Sequence, residues 1–216
     1  MGNAPLILIN GWPGVGKQTV AEMLALLLGE DKAHLVDDNN FVGTVHLPHG
    51  HPDFEKSKRE DRDTAFANFV EDASSLGKIT IFTDCQADTI EGRSVAQEYE
   101  ATAARSNRAL IPIYLDCQLE ENLRRVQTLE RRTSLKDKIR SPKEARSVRN
   151  EGGRLFVFPD HNGLTLNITN MAPGEAAISI LGFMNDEIAR RDTELANAET
   201  TPLEGQEPDW LHLDAR

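Results

Sequence analysis

Short, continuously apolar runs alternate along this chain with stretches of helical period. That is the pattern of a parallel α/β sheet, whose strands are covered by helices on both faces and so have no polar side. Leu6–Ile9 is the first such run. From Lys17 the period changes: Val20, Met23, Leu24, Leu27 and Leu28 fall on one helical stripe, and Gly29 supplies a stop. Four more strands are predicted: Leu35-Val36, ending in Asp37-Asp38; Ile79–Phe82, ending in Thr83-Asp84-Cys85; Ala109–Leu115, ending in Asp116-Cys117; and Leu164–Thr169. Pro112 sits inside the fourth and weakens its ladder there. The spacing predicts intervening helices over Glu60–Leu76, Gly92–Arg105, Leu119–Arg132 and Pro173–Ala189. The last has proline in its first turn and Ala177, Ile180, Leu181, Met184 and Ile188 on one face.

The length of 216 residues suits one domain with a full core. No apolar run reaches the length of a membrane span, and no basic-then-apolar leader opens the chain. Met1-Gly2 is not a myristoylation signal, because Leu6 stands where Ser or Thr is needed. Two cysteines, Cys85 and Cys117, make no disulfide framework. The expectation is a soluble cytoplasmic protein with no membrane partner. A net charge of -11 argues against wrapping nucleic acid. The charge is uneven, however. Residues 120–154 carry eleven basic side chains against six acidic ones, a basic island suited to gripping phosphate. Residues 192–216 carry seven acids against Arg216 and read as a poorly ordered tail, which puts the folded domain at 1–191. The sequon Asn167-Ile168-Thr169 falls on a predicted buried strand and is disregarded.

The motif that changes the picture is Gly11-Trp12-Pro13-Gly14-Val15-Gly16-Lys17, a G-x-x-x-x-G-K loop between a buried strand and an amphipathic helix. Glycines let successive backbone N–H groups point inward and leave room for phosphate oxygens. The helix start adds its positive end, and Lys17 brings a mobile charge that can follow a γ-phosphate. The residue after the lysine is ordinarily Ser or Thr, whose hydroxyl holds Mg²⁺; here it is Gln18. Thr19 is rotated about 100° away on the helix and does not simply substitute. Either the Gln18 amide oxygen serves the metal, or the metal rests on phosphate, water and an aspartate, since Mg²⁺ keeps several waters.

Ligands of an open parallel sheet bind beyond the carboxyl ends of its strands, which is where Asp37, Asp84 and Asp116 stand. Asp84 is the candidate acid for the Mg²⁺ shell. Asp37, with Asp38 as alternate, is the candidate base for an acceptor hydroxyl.

In these residues the chain resembles the P-loop small-molecule kinases, the group that holds shikimate kinase, gluconate kinase and chloramphenicol phosphotransferase. The resemblance runs over about residues 4–190. It implies a three-layer α/β/α fold, a five-stranded parallel sheet in order 2-3-1-4-5, a requirement for ATP and Mg²⁺, and a helical lid at about 120–154. It implies that lid arginines, with Arg125, Arg131 and Arg132 nominated, close over the nucleotide, and that Asn170 and Met171 lie on the adenine side. With that order, Cys85 and Cys117 follow strands about 9.5 Å apart, too far for a disulfide. The segment 39–57, with His46, His49 and His51, matches no standard zinc spacing and reads as a loop shaping an acceptor pocket beside helix 60–76. The function expected is transfer of the γ-phosphate of ATP to a hydroxyl of a small molecule, by a monomer or homodimer. A nucleotide-binding regulator or slow ATPase without an acceptor is the alternative. A nucleic-acid partner for residues 120–154 is disfavoured by the acidic remainder.

Overall fold

The computed structural model describes residues 3–36, 51–129, 131 and 138–200. Asp37, Asp38, His46, His49, Arg132 and residues 201–216 lie outside the described residues. Five strands, β1 (Asn3–Gly11), β2 (Ala33–Val36), β3 (Ile79–Asp84), β4 (Arg108–Asp116) and β5 (Leu164–Asn167), form one parallel sheet in the order β2-β3-β1-β4-β5. The predicted order holds. β1 is central, and Leu6, Ile7, Leu8 and Ile9 are all fully buried. Ile7 and Ile9 face a core shared with Val20, Leu24, Ile180 and Met184. Leu6 and Leu8 face a second core with Phe66, Phe82, Tyr99 and Phe158. A strand with cores on both sides cannot alternate with polar residues, hence its unbroken apolar run. Pro112 is accommodated because β5 pairs only from Ile113 onward.

Among the described residues the bounded helices are α1 (Lys17–Leu28), α2 (Phe54–Phe66), α3 (Ile90–Arg105), α4 (Leu119–Arg125), α5 (Pro142–Gly152) and α6 (Pro173–Thr200), and Leu129 and Arg131 are helical as well. Several differ from expectation for identifiable reasons. α2 starts earlier than Glu60 and passes into a π-helical turn, Ala67–Glu71, instead of continuing to Leu76. α4 stops at Arg125, well short of Arg132, where Thr128 Oγ1 donates to the Arg125 carbonyl and competes for helical acceptors. α5 was not anticipated, because its one fully buried side chain, Ala145, makes almost no apolar stripe. Its start was legible in Ser141-Pro142-Lys143-Glu144: the Ser141 hydroxyl accepts from the Glu144 N–H, and proline fills the first turn. α6 runs past residue 191 to Thr200, so the acidic segment begins as helix.

One buried charge fastens the amino end of the sheet. Arg108 is 4% exposed and has no carboxylate partner among the described residues; its guanidinium donates to the carbonyls of Ala4 (2.6 Å), Phe69 (3.1 Å), Ser75 (3.1 Å) and Lys78, and to Thr80 Oγ1 (3.0 Å). Burial pushes its pKa down to about 10. Phe69 lies in the π-helical turn, so the arginine ties that turn to β1 and to the start of β3. Arg108→Met leaves several buried carbonyls unpaired, and we expect it to cost roughly 3–5 kcal/mol, read as a large drop in thermal unfolding midpoint.

Candidate functional site

β1 delivers the chain to Gly11, and α1 takes it up at Lys17. The loop between them is a tight nest and not an extended strand. Val15 N–H donates to the Trp12 carbonyl at 3.1 Å, and Val20 N–H to that of Gly16 at 3.1 Å. Two glycines are required by conformation: Gly14 has φ 84° and Gly16 φ 117°. Gly14 is also required by space, since a Cβ there would stand 2.3 Å from Val126 Cγ1. Lys17 Nζ donates to the carbonyls of Gly11 (2.6 Å) and Trp12 (3.1 Å), which lays the ammonium across the loop. Pro13 is half-buried and Val15 buried. Trp12 contributes only its main chain to the nest, since its ring is 3% exposed and Gly152 of α5 is seated on it.

The back of the loop is gripped by α4. Asn122 Nδ2 donates to the Pro13 carbonyl at 3.0 Å. Arg125 Nη1 donates to the Val15 carbonyl at 2.6 Å, Nη2 to those of Ile168 (2.8 Å) and Thr169 (3.2 Å), and Nε to Glu121 Oε1 at 2.6 Å. Nη1 and Nη2 of Arg125 therefore brace the loop against the chain just after β5 while Glu121 holds Nε, and the expected exposed lid arginine is a half-buried strut. Hydrogen bonds from Arg124 and Arg125 hold the Glu121 carboxyl at about 2, against an ordinary 4.5. A depressed carboxylate gives stability that is present above the unfolded value and lost as pH falls through the folded one. Stability should thus decline between about pH 4.5 and 2 and do so less steeply in Glu121→Gln, as acid titration followed by circular dichroism would show.

On the other flank, Asn10 pairs in register with Asp84. Asp84 Oδ1 accepts from the Cys85 N–H at 2.7 Å, and Oδ2 from the Tyr99 hydroxyl at 3.0 Å. Tyr99 is buried in a cluster with Phe66 and Phe82, so the carboxylate is aimed from below. Asn10 is itself buried and ties the loop after β3: its Nδ2 donates to the Gln86 carbonyl at 2.9 Å, and its Oδ1 accepts from Gln86 N–H at 2.8 Å. Burial pushes the Cys85 thiol up; Lys17 pulls the other way and Asp84 adds to the rise, so both charges reach one side chain. Cys85 and Cys117 are free thiols, as their strand spacing required.

Gln18 follows on α1, where its Nε2 donates to Glu22 Oε1 at 2.9 Å, while Thr19 is exposed. The Asp84 carboxylate and the Gln18 amide oxygen are both hard-oxygen donors of the kind Mg²⁺ takes beside phosphate and water. Among the described residues no group of three His, Cys, Asp or Glu gathers for a metal.

At the carboxyl end of β5 a cavity of about 660 Å³ is lined by Gln118, Asn167, Thr169, Asn170, Met171 and Glu175. Ile168, between the lining residues Asn167 and Thr169, has its Cδ1 3.6 Å from where a Cβ at Gly16 would stand, so the cavity adjoins the loop. Asn170, nominated from the sequence, is here and exposed. Arg131 is turned to its own segment, Nε donating to the Ile139 carbonyl at 2.6 Å, and burial holds its pKa below the ordinary value. Residues the sequence did not single out are Asn10, Tyr99, Asn122 and Arg149. Their roles depend on partners distant along the chain, and the visible hint was an asparagine on the otherwise apolar face of α4.

The sheet order, the loop and its lysine define a P-loop protein with the fold of the small-molecule kinases. A sequence-family model described as an AAA domain matches residues 7–149, and the chain belongs to that family. No curated protein matches the sequence. Among solved structures it is similar to the APS kinase of Mycobacterium tuberculosis in complex with AMPPNP and APS (16% identity, TM-score 0.54, 86% of this chain and 99% of that one). It is similar also to the shikimate kinase of Acinetobacter baumannii in complex with shikimate (18%, 0.52, 85% and 94%). A third likeness is Chaetomium thermophilum Kti12 in complex with ADP-AlF3 (17%, 0.56, 82% and 98%). At such identities the likeness is one of fold. No described helix is long and apolar enough to cross a membrane.

Proposed function

We propose that the protein is an ATP-dependent phosphotransferase that moves the γ-phosphate to a hydroxyl of a small molecule. The observation that carries this reading is the folded nest of residues 11–17, with Lys17 across it and Asp84 beside it, on the carboxyl rim of the sheet. The loop amides and Lys17 bind the β- and γ-phosphates, and the cavity at Asn167–Met171 takes the base. Mg²⁺, when bound, neutralises charge on those phosphates, and Asp84 with Gln18 Oε1 are the side chains that hold it. Asp37, the residue after the end of β2 in the sequence, is the group assigned to take the hydroxyl proton. Arg131 and Arg132 act from the lid segment, while Arg125 keeps the nest in shape. The named substrates of the similar kinases, APS and shikimate, support a small-molecule acceptor in this class.

Gln18 in place of a hydroxyl residue favours a second reading, a nucleotide-binding regulator or slow ATPase. Incubating the full chain with ATP, Mg²⁺ and a metabolite library separates the two. We expect one metabolite to gain the mass of a phosphate, dependent on ATP. Release of ADP with every metabolite unchanged would favour the regulator.

A further inference from the structure

The cavity beyond β5 holds an acid among amides. Its lip is fixed by a short relay. Gln118 N–H donates to Thr169 Oγ1 at 2.9 Å, and Asn167 Oδ1 accepts from that hydroxyl at 2.7 Å and from the Thr169 N–H at 3.0 Å. Arg125 Nη2 ties the same residue to the nest through the Thr169 carbonyl at 3.2 Å. Glu175 joins the lining from the first turn of α6, where its Oε2 accepts from the Ala172 N–H at 2.8 Å and closes the helix end. That bond fixes the carboxylate and leaves Oε1 with no hydrogen-bond partner among the described residues. The side-chain amide of Asn170, also in the lining, has none either. Met171 is half-buried and supplies an apolar surface for a ring. A carboxylate only accepts hydrogen bonds, whereas an amide both donates and accepts. Guanine presents two adjacent donors, N1–H and its 2-amino group, which one carboxylate can accept together. Adenine presents a single donor, its 6-amino group, beside an unprotonated N1 whose lone pair a carboxylate repels. Guanine O6 needs a donor as well, and the Asn170 amide carries two.

We propose that this cavity takes guanine in preference to adenine, with Glu175 reading the N1–H and 2-amino edge, so that GTP serves the nest beside ATP. This rests on the reading of the nest as a nucleotide site with its base at Asn167–Met171. Capping α6 accounts for one oxygen of Glu175 and needs no charge, since glutamine serves at that position too. The negative charge in the cavity is therefore not explained by the helix end. Glutamine would keep its oxygen on the Ala172 N–H and put an NH₂ group where Oε1 stands. That donor opposes N1–H of guanine and suits N1 of adenine, so the exchange reverses the sign of the preference.

The test titrates the full chain calorimetrically, in Mg²⁺, with the non-hydrolysable triphosphates AMPPNP and GMPPNP. Their phosphates are identical, so the nest contributes equally and the difference belongs to the base. GMPPNP should bind more tightly than AMPPNP by roughly 3- to 10-fold, the gain of one further charge-assisted contact on an exposed lip. Glu175→Gln should weaken GMPPNP by roughly 10-fold and leave AMPPNP unchanged or tighter. GDP should likewise bind more tightly than IDP, which lacks only the 2-amino group. That comparison needs no substitution and decides the matter if Glu175→Gln does not fold. A residue that only caps α6 would move both triphosphates alike. GMPPNP no tighter than AMPPNP, an unchanged ratio of the two in Glu175→Gln, or equal affinities for GDP and IDP overturns the proposal. Failure of the unsubstituted chain to bind any of these nucleotides overturns the nucleotide reading itself, and this proposal with it.

Discussion

Lys17→Ala should lower ATP affinity by roughly 10- to 100-fold and abolish turnover, with little change in thermal stability. Lys17 Nζ donates to main-chain carbonyls of its own loop, Gly11 at 2.6 Å and Trp12 at 3.1 Å. The loop's shape is fixed elsewhere: by Gly14 and Gly16, by Asn122 on Pro13, and by Arg125 on Val15. Removing the ammonium therefore leaves the amide nest standing and takes away one charge. Contacts of a charged donor are worth about 1.5–3 kcal/mol in binding, and more where charge develops during transfer. Calorimetric titration with ATP and thermal unfolding of the same variant read the two effects separately. Unchanged ATP affinity would mean that residues 11–17 do not hold a phosphate.

How much of this was legible depends on where each residue finds its partner. β1 could be read because Leu6–Ile9 is apolar on both faces, and that is possible only at the centre of a covered sheet. The nest could be read because its glycines answer to local backbone demands. The bracing of the nest could not. Asn122 and Arg125 act on Pro13 and Val15 more than a hundred positions away, and on sequence alone Arg125 belongs to a solvated basic face. The same distance hid the end of α4, which the apolar period carries on to Arg132 while the helix stops at Arg125. Arg108 opens a strand, yet its burial is decided by carbonyls from three separate segments. α6 runs past its expected end because helical continuity through Leu195 and Ala196 outweighs the acidic composition there.

Asp84→Asn should reduce basal ATP hydrolysis by roughly 10²–10³-fold while metal-free nucleotide binding persists, and Tyr99→Phe should give a smaller loss in the same direction. The carboxylate has two fixed bonds. The Cys85 N–H holds Oδ1 at 2.7 Å and survives both substitutions, while the Tyr99 hydroxyl at 3.0 Å holds Oδ2. Asparagine keeps the shape and removes the charge that the proposed metal role of Asp84 requires, so under that proposal the loss falls on the metal step. Phenylalanine keeps the charge and the packing against Phe66 and Phe82, and removes one hydrogen bond of about 1 kcal/mol, so turnover should drop about five-fold. The distinguishing measurement is a Mg²⁺ titration of hydrolysis at saturating ATP. Tyr99→Phe should shift its midpoint upward and approach the original rate at high Mg²⁺, because the acid remains but is aimed less well. Asp84→Asn should stay slow at every Mg²⁺ concentration. If Asp84→Asn instead hydrolyses ATP at the original rate, the metal is held from the carboxyl end of β2, and the division of roles between Asp84 and Asp37 is reversed.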